Sequence, residues 1–172
     1  TQSSNVRLTG SLVSHATLAT TIAARRSCQP GRSHPVQRFE NWLKEREASR
    51  DPWFYAYVRR DTGKAAGMGS FMRADAPNGV IEIGNIYRGP LISRRRGATE
   101  ALYLAMKHVF DDLGYRRFEW KCNNDNLPSK RAAERFGFTF EGVFRQHMIV
   151  KGVHIEKNTS MRIFIQSRLR RT

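Results

Sequence analysis

The sequence predicts a mixed α/β fold with helices packed on one mostly antiparallel sheet. Three observations lead there. Between residues 51 and 88, three aromatic or β-branched runs are joined by short turns. After residue 97, segments of helical spacing alternate with further β-rich segments. The chain has 172 residues with 40% hydrophobic content, a single-domain length that buries roughly 70% of its unfolded surface.

The elements follow in order. In "HPVQRFENWLKEREASRD", Phe39, Trp42 and Leu43 fall at helical spacing with charges elsewhere, so a short amphipathic helix is expected. "DPWFYAYVRR" reads as a strand. "DTGK" is a turn in which Gly63 supplies the permissive backbone. "AAGMGSFMR" is a second strand, "DAPNG" a second turn and "VIEIGNIY" a third strand, giving an antiparallel meander. A helix follows "LIS", with Ala98, Leu102, Ala105, Met106, Val109, Phe110 and Leu113 on its apolar face and Gly114 at its end. "YRRFEWKC" is a strand with Phe118, Trp120 and Cys122 on one side and Arg117, Glu119 and Lys121 on the other. The next helix has Asn126 as N-cap, Pro128 in its first turn, an apolar stripe of Ala132, Ala133 and Phe136, and Gly137 as its stop. "FTFEGVFRQHMIVKG" is expected to form one final long strand.

The net charge is +15, which attracts anionic partners: nucleic acid, a ribosome surface or a phosphorylated cofactor. Cys28 and Cys122 have neither metal spacing nor a disulfide framework, which suits a reduced compartment and a cytoplasmic location. No metal is expected. His108 and His147 read as structural, and Cys122 as a small core residue. No apolar run is long enough to span a membrane. The first 38 residues hold no Asp or Glu and carry Arg7, Arg25, Arg26, Arg32 and Arg38. That composition fits a mitochondrial transit segment or a poorly ordered N-terminal region.

"LISRRRGATEAL" is the least expected stretch. Arg94, Arg95 and Arg96 open a helix, whose N-terminus already carries partial positive charge. Either the run is a solvated basic turn, or an anion sits on it.

The order of "VIEIGNIY", a loop, a helix opening "ATEAL", a strand, then "NLPS", "AAERFGF" and "FEGVFR" resembles the GNAT superfamily of acetyl-CoA-dependent N-acetyltransferases, most of all its RimJ/RimL-type enzymes, which acetylate protein N-termini. The resemblance covers about residues 36–152, leaving 1–35 and 153–172 as atypical ends, in which "NVRLTG" resembles the family's first strand and "MRIFIQ" its closing one. It implies a cofactor cleft between two diverging central strands, "VIEIGNIY" and "RFEWKCN".

The family's pyrophosphate loop reads Q/R-x-x-G-x-G/A. In its frame Ser93 takes the first position, Arg96 the central glycine position and Ala98 the last small one, with Gly97 one residue late. Ser93, Arg94, Arg95, Arg96, Gly97 and Ala98 are therefore the candidate phosphate-binding residues. Arg96 either obstructs close backbone approach or meets the phosphates with its side chain. The resemblance also implies that Asn85, Ile86 and Tyr87 flank the cleft, with a backbone N–H of Ile86 or Tyr87 on the thioester carbonyl. Asn126 and Ser129 match the family's N-x-x-S. The resemblance implies Asn126 on the cofactor arm and Ser129 as the acid that protonates the leaving thiolate; the plain alternative is a helix cap and a first-turn polar residue. Glu82 is the candidate base, ahead of Glu119 and Glu141.

The activity so implied is acetyl transfer from acetyl-CoA to a primary amine, by direct attack. A protein N-terminal α-amine is one acceptor, and a polyamine or antibiotic amine is another. The charge also allows a degenerate acetyltransferase fold serving as an RNA- or ribosome-binding module, although no aromatic-basic RNA motif is present.

Overall fold

The computed structural model describes residues 6–9, 35–145, 147 and 161–167. The elements are β1 (Val6–Thr9), α1 (Pro35–Ala48), β2 (Trp53–Arg59), β3 (Ala65–Asp75), β4 (Val80–Arg88), α2 (Arg96–Lys107), β5 (Arg117–Asn123), α3 (Leu127–Arg135), β6 (Thr139–Phe144) and β7 (Met161–Ser167). Among the described residues the strands are hydrogen-bonded in the order β1-β2-β3-β4-β5-β7-β6. The β4–β5 pair is parallel, whereas β1–β2, β2–β3, β5–β7 and β6–β7 are antiparallel. The mixed, mostly antiparallel sheet is the expected fold class. Two compact units divide the chain, residues 1–72 with 85–108 and residues 73–84 with 109–172.

In the first unit, one face of β2 and β3 packs on α1. Leu43 joins Phe54, Ala56, Val58, Ala65 and Met68 in a buried cluster, with Phe39, Trp42 and Tyr87 against it. These are the apolar positions that made α1 legible. The other face carries Tyr55 and Tyr57, both buried. They fit because the paired strand offers no side chain there: Tyr55 and Tyr57 lie opposite Gly69 and Gly67. A Cβ on Gly69 would stand 2.6 Å from the Tyr57 hydroxyl, and one on Gly67 would stand 2.4 Å from the Tyr87 carbonyl oxygen.

The second unit is built on β5, whose residues alternate in burial as expected of a strand with two unlike faces. Phe118, Trp120 and Cys122 are buried. Phe118 and Trp120 meet Phe138 at ring distances of 5.7 and 5.6 Å, and Trp120 meets Phe136 of the α3 C-cap at 6.3 Å. Ala132 and Ala133 bring α3 close to this aromatic layer.

Two sequence expectations change. The helix that begins at Arg96 is α-helical only to Lys107; His108–Asp112 form a π-helical turn. Leu113, expected on the apolar face, is exposed, because the wider turn shifts the helical phase. The expected long final strand ends at Phe144, and Arg145 lies in a turn. Phe144 is the last β6 residue paired with β7, opposite Met161. By contrast, β1 and β7 belong to the sheet in the stretches "NVRLTG" and "MRIFIQ", where the sequence suggested strands. The expectations for residues 10–34 and 148–160 fall outside the described residues.

Candidate active site

The loop before α2 is shaped by a buried anchor. Gly89 accepts backbone hydrogen bonds from Ile92 (3.1 Å) and Ser93 (2.9 Å), and Arg95 donates to the Ile92 carbonyl at 3.1 Å. Ile92 is buried, while Ser93, Arg94, Arg95 and Arg96 are all exposed. Arg94 adopts a left-handed backbone with φ 57°. Arg95 is the N-cap, in extended conformation, and its side chain makes no capping hydrogen bond. The first turn of α2 contains no acidic residue. The first N–H groups of a helix have no intrahelical acceptor, so this helix start presents donors and cations together. Both favour an anion. Gly97 does a different job: a Cβ there would lie 3.1 Å from Ile92 Cγ2 and 3.3 Å from Val6 Cγ2. Its small size lets α2 sit on β1. Ala98 is buried for the same reason.

Although β4 lies mid-sheet, only its first half is buried. Ile81, Glu82 and Ile83 are covered, Gly84 and Ile86–Arg88 are half-buried, and Asn85 is exposed. The parallel register with β5 runs from Val80↔Arg117 to Ile83↔Trp120. Beyond it β4 continues to Arg88. Asn85 has φ 50°, and its Nδ2 donates to Ser70 Oγ at 2.9 Å.

In the second unit, Asn126 caps α3, its Oδ1 accepting from the Ser129 N–H at 3.1 Å. The Ser129 hydroxyl accepts from Trp120 Nε1 at 3.0 Å. A hydroxyl that accepts from an indole keeps its own proton to donate. This bond fixes Ser129 on the buried aromatic layer, and the sequence signal for it was a strand tryptophan whose N–H requires a partner.

Glu82 sits in a chain of alternating charges. Its Oε2 accepts from Arg73 Nη1 at 2.8 Å and from Lys121 Nζ at 2.9 Å. Lys121 also donates to Glu119 at 2.7 Å, and Arg117 pairs with Glu119 at 2.6 Å and, bidentately, with Glu141. Burial works to raise the Glu119 carboxyl, but the Lys121 and Arg117 hydrogen bonds and charges outweigh it and hold it below the ordinary range. Burial likewise opposes the Lys121 ammonium, and Glu119 and Glu82 outweigh it, so its pKa is raised. The three glutamates weighed as bases are thus members of one network. Sequence reasoning placed Arg117, Glu119 and Lys121 on one face but missed Arg73, which reaches Glu82 from β3.

The mixed sheet, the uncapped basic helix start and the capped N-x-x-S helix are the marks of an acyl-CoA-dependent transferase. A family model described as acetyltransferase (GNAT) domain matches residues 12–139. The chain belongs to this family and is an acetyl-CoA-dependent N-acetyltransferase. Among solved structures it is similar to a GCN5-related N-acetyltransferase from Brucella melitensis, at 46% identity over 96% of this chain and 77% of that one, with a TM-score of 0.75. A probable acetyltransferase of the GNAT family from Chromobacterium violaceum ATCC 12472 is 33% identical over 96% of this chain and 84% of that one, with a TM-score of 0.79. The fold is shared with the microcin C7 self-immunity acetyltransferase MccE, described in complex with acetyl-CoA and AMP, at 21% identity, 96% and 94% coverage and a TM-score of 0.74. No curated protein matches the chain. Among the described residues no helix is long and apolar enough to cross a membrane.

Proposed function

We propose that the enzyme is of RimJ/RimL type and acetylates the α-amine of a protein N-terminus. The observation that carries this reading is the ordered set of motifs, "VIEIGNIY" through "NLPS" to "FEGVFR", together with the Glu82 environment. Oε2 of Glu82 is engaged by two cations, and among the described residues Oε1 accepts no hydrogen bond. A carboxylate with one oxygen engaged suits an acceptor that needs little help. An α-amine, with a pKa of about 8, is about one-tenth neutral at pH 7, whereas a lysine amine near 10.4 is almost wholly charged.

In this reading the exposed Ser93–Arg96 turn and the α2 N–H groups hold the pyrophosphate, with Gly97 and Ala98 fastening the turn. Asn126 binds the pantetheine arm. A backbone N–H of Ile86 or Tyr87 stabilises the charge that develops on the carbonyl oxygen. Acetyl-CoA supplies the activated acyl group. As the C–N bond forms and the C–S bond breaks, Glu82 Oε1 takes the amine proton, directly or through water. Ser129 gives its proton to the sulfur and recovers one from solvent. The net charge of +15 favours acceptors on an anionic body such as a ribosome.

Thiol release from acetyl-CoA, compared across N-terminal peptides, lysine peptides and polyamines, tests the acceptor. Peptides with a free α-amine are expected to turn over fastest. Faster release with polyamines overturns the reading. Salt-sensitive RNA binding without acetyl-CoA binding would point to a basic binding module instead.

A further inference from the structure

The left-handed backbone at Asn85 is unusual for a residue inside a strand. The conformation is unfavourable for an ordinary L-residue and less so for Asn. A glycine at this position would take the angle unaided, whereas Asn85 needs something to hold it there. That something is its carboxamide. Asn85 Nδ2 donates to Ser70 Oγ at 2.9 Å, and Ser70 is wholly buried on β3, between Gly69 and Phe71 in sequence and opposite Phe54 in register. A buried hydroxyl among such apolar neighbours is unfavourable unless it is used.

One left-handed residue also breaks the alternation of N–H directions along a strand. It falls at the point where β4 passes from buried to open, and the next two residues are Ile86 and Tyr87. We propose that Ser70 and Asn85 are a positioning pair: the buried hydroxyl holds the Asn85 carboxamide, which holds β4 left-handed and so sets the direction of the Ile86 and Tyr87 amides. The step from amide direction to catalysis rests on the reading of those amides as oxyanion donors. Ser70 touches no reacting atom in this account and acts through Asn85.

The test uses Ser70→Ala, Asn85→Gly, Asn85→Ala and the Ser70→Ala/Asn85→Gly pair in the whole chain. The first readout is the amide chemical shift and hydrogen exchange of Ile86 and Tyr87 without cofactor. Ser70→Ala and Asn85→Ala are expected to move both amides; Asn85→Gly, which takes positive φ unaided, is expected to keep them near their native values. The second readout is thiol release. Ser70→Ala is expected to lower kcat by about tenfold, with KM for acetyl-CoA within about twofold, and to have little effect in the Asn85→Gly background. Unmoved Ile86 and Tyr87 amides in folded Ser70→Ala protein overturn the proposal. So does an equal loss from Ser70→Ala in both backgrounds, which is the mark of a packing defect. Amides that move while kcat stays constant uphold the positioning pair and sink the oxyanion reading instead.

Discussion

Lys121 on β5 donates to Glu82 on β4 at 2.9 Å, joining two parallel strands across a sheet face on which the Glu82 side chain is only 5% exposed. The same ammonium reaches Glu119 at 2.7 Å. Lys121→Met leaves Glu82 with Arg73 alone and Glu119 with Arg117. It is expected to destabilise the protein by about 1.5–3 kcal/mol, the range for hydrogen bonds to charged groups. In urea unfolding, Glu82→Gln combined with Lys121→Met is expected to cost less than the sum of the two single changes. Strict additivity would show that the contact contributes nothing.

The same network sets a pH dependence. Glu119 is held below the ordinary carboxyl range by Lys121 and Arg117 against the effect of burial. Its contribution is therefore present above the unfolded value of about 4.3 and is lost as pH falls through the folded value. Lys121 is raised by Glu119 and Glu82. Its contribution is present below about 10.4 and is lost as pH rises through the folded value. Glu119→Gln is expected to flatten the acid side of the stability profile, and Lys121→Met the alkaline side. Urea midpoints measured from pH 3 to pH 11 check both; parallel profiles for wild type and variants would contradict the assignment.

Tyr55 presents the opposite case, a polar group left over. Its hydroxyl is buried with no well-aligned hydrogen-bond partner among the described residues, and the Tyr57 phenol is its polar neighbour. Burial pushes its phenol well above the ordinary value, and pushes that of Tyr57 to about 12. Tyr55→Phe keeps the 4.7 Å stack on Phe71 and removes an unsatisfied group whose burial costs about 1–3 kcal/mol. The melting temperature is expected to hold or rise. A fall of several degrees would mean that the hydroxyl has a partner.

Arg94 separates charge from backbone. Its φ of 57° is natural for glycine, so Arg94→Gly is expected to stabilise the fold by up to about 1 kcal/mol, and Arg94→Ala is not. Both remove an exposed guanidinium, and both are expected to weaken acetyl-CoA binding by about two- to fivefold, more at low salt. Titration calorimetry at two ionic strengths decides it. Unchanged affinity in both variants would leave the phosphates to the backbone alone.

The strands and helices were legible where one residue's chemistry decides them. Phe39, Trp42 and Leu43 announced α1, and alternation announced β5. Asn126, Pro128 and Gly137 framed α3, with Gly137 at φ 84° and the Asn126 cap in place. What stayed hidden depends on partners distant in sequence. β6 pairs with β7, a strand well separated from it along the chain, and the π-helical turn at His108–Asp112 has no periodicity that distinguishes it from a continuing helix. Among the candidate site residues, Asn126 was readable as the helix cap it is. Glu82 was readable as a buried carboxylate between two isoleucines. Its cations were not, since Arg73 lies nine residues before it and Lys121 thirty-nine after it.

Gly97 has a consequence for how this protein can change over time. It is wedged under Ile92 and Val6, whereas the four letters before it face outward. Side-chain changes at 93–96 therefore meet solvent rather than the core, with a backbone preference to respect at Arg94. A side chain at position 97 instead presses on Ile92 and Val6. Packing constrains one letter of this turn and solvent-facing chemistry its neighbours, so adjacent positions answer to different physical demands.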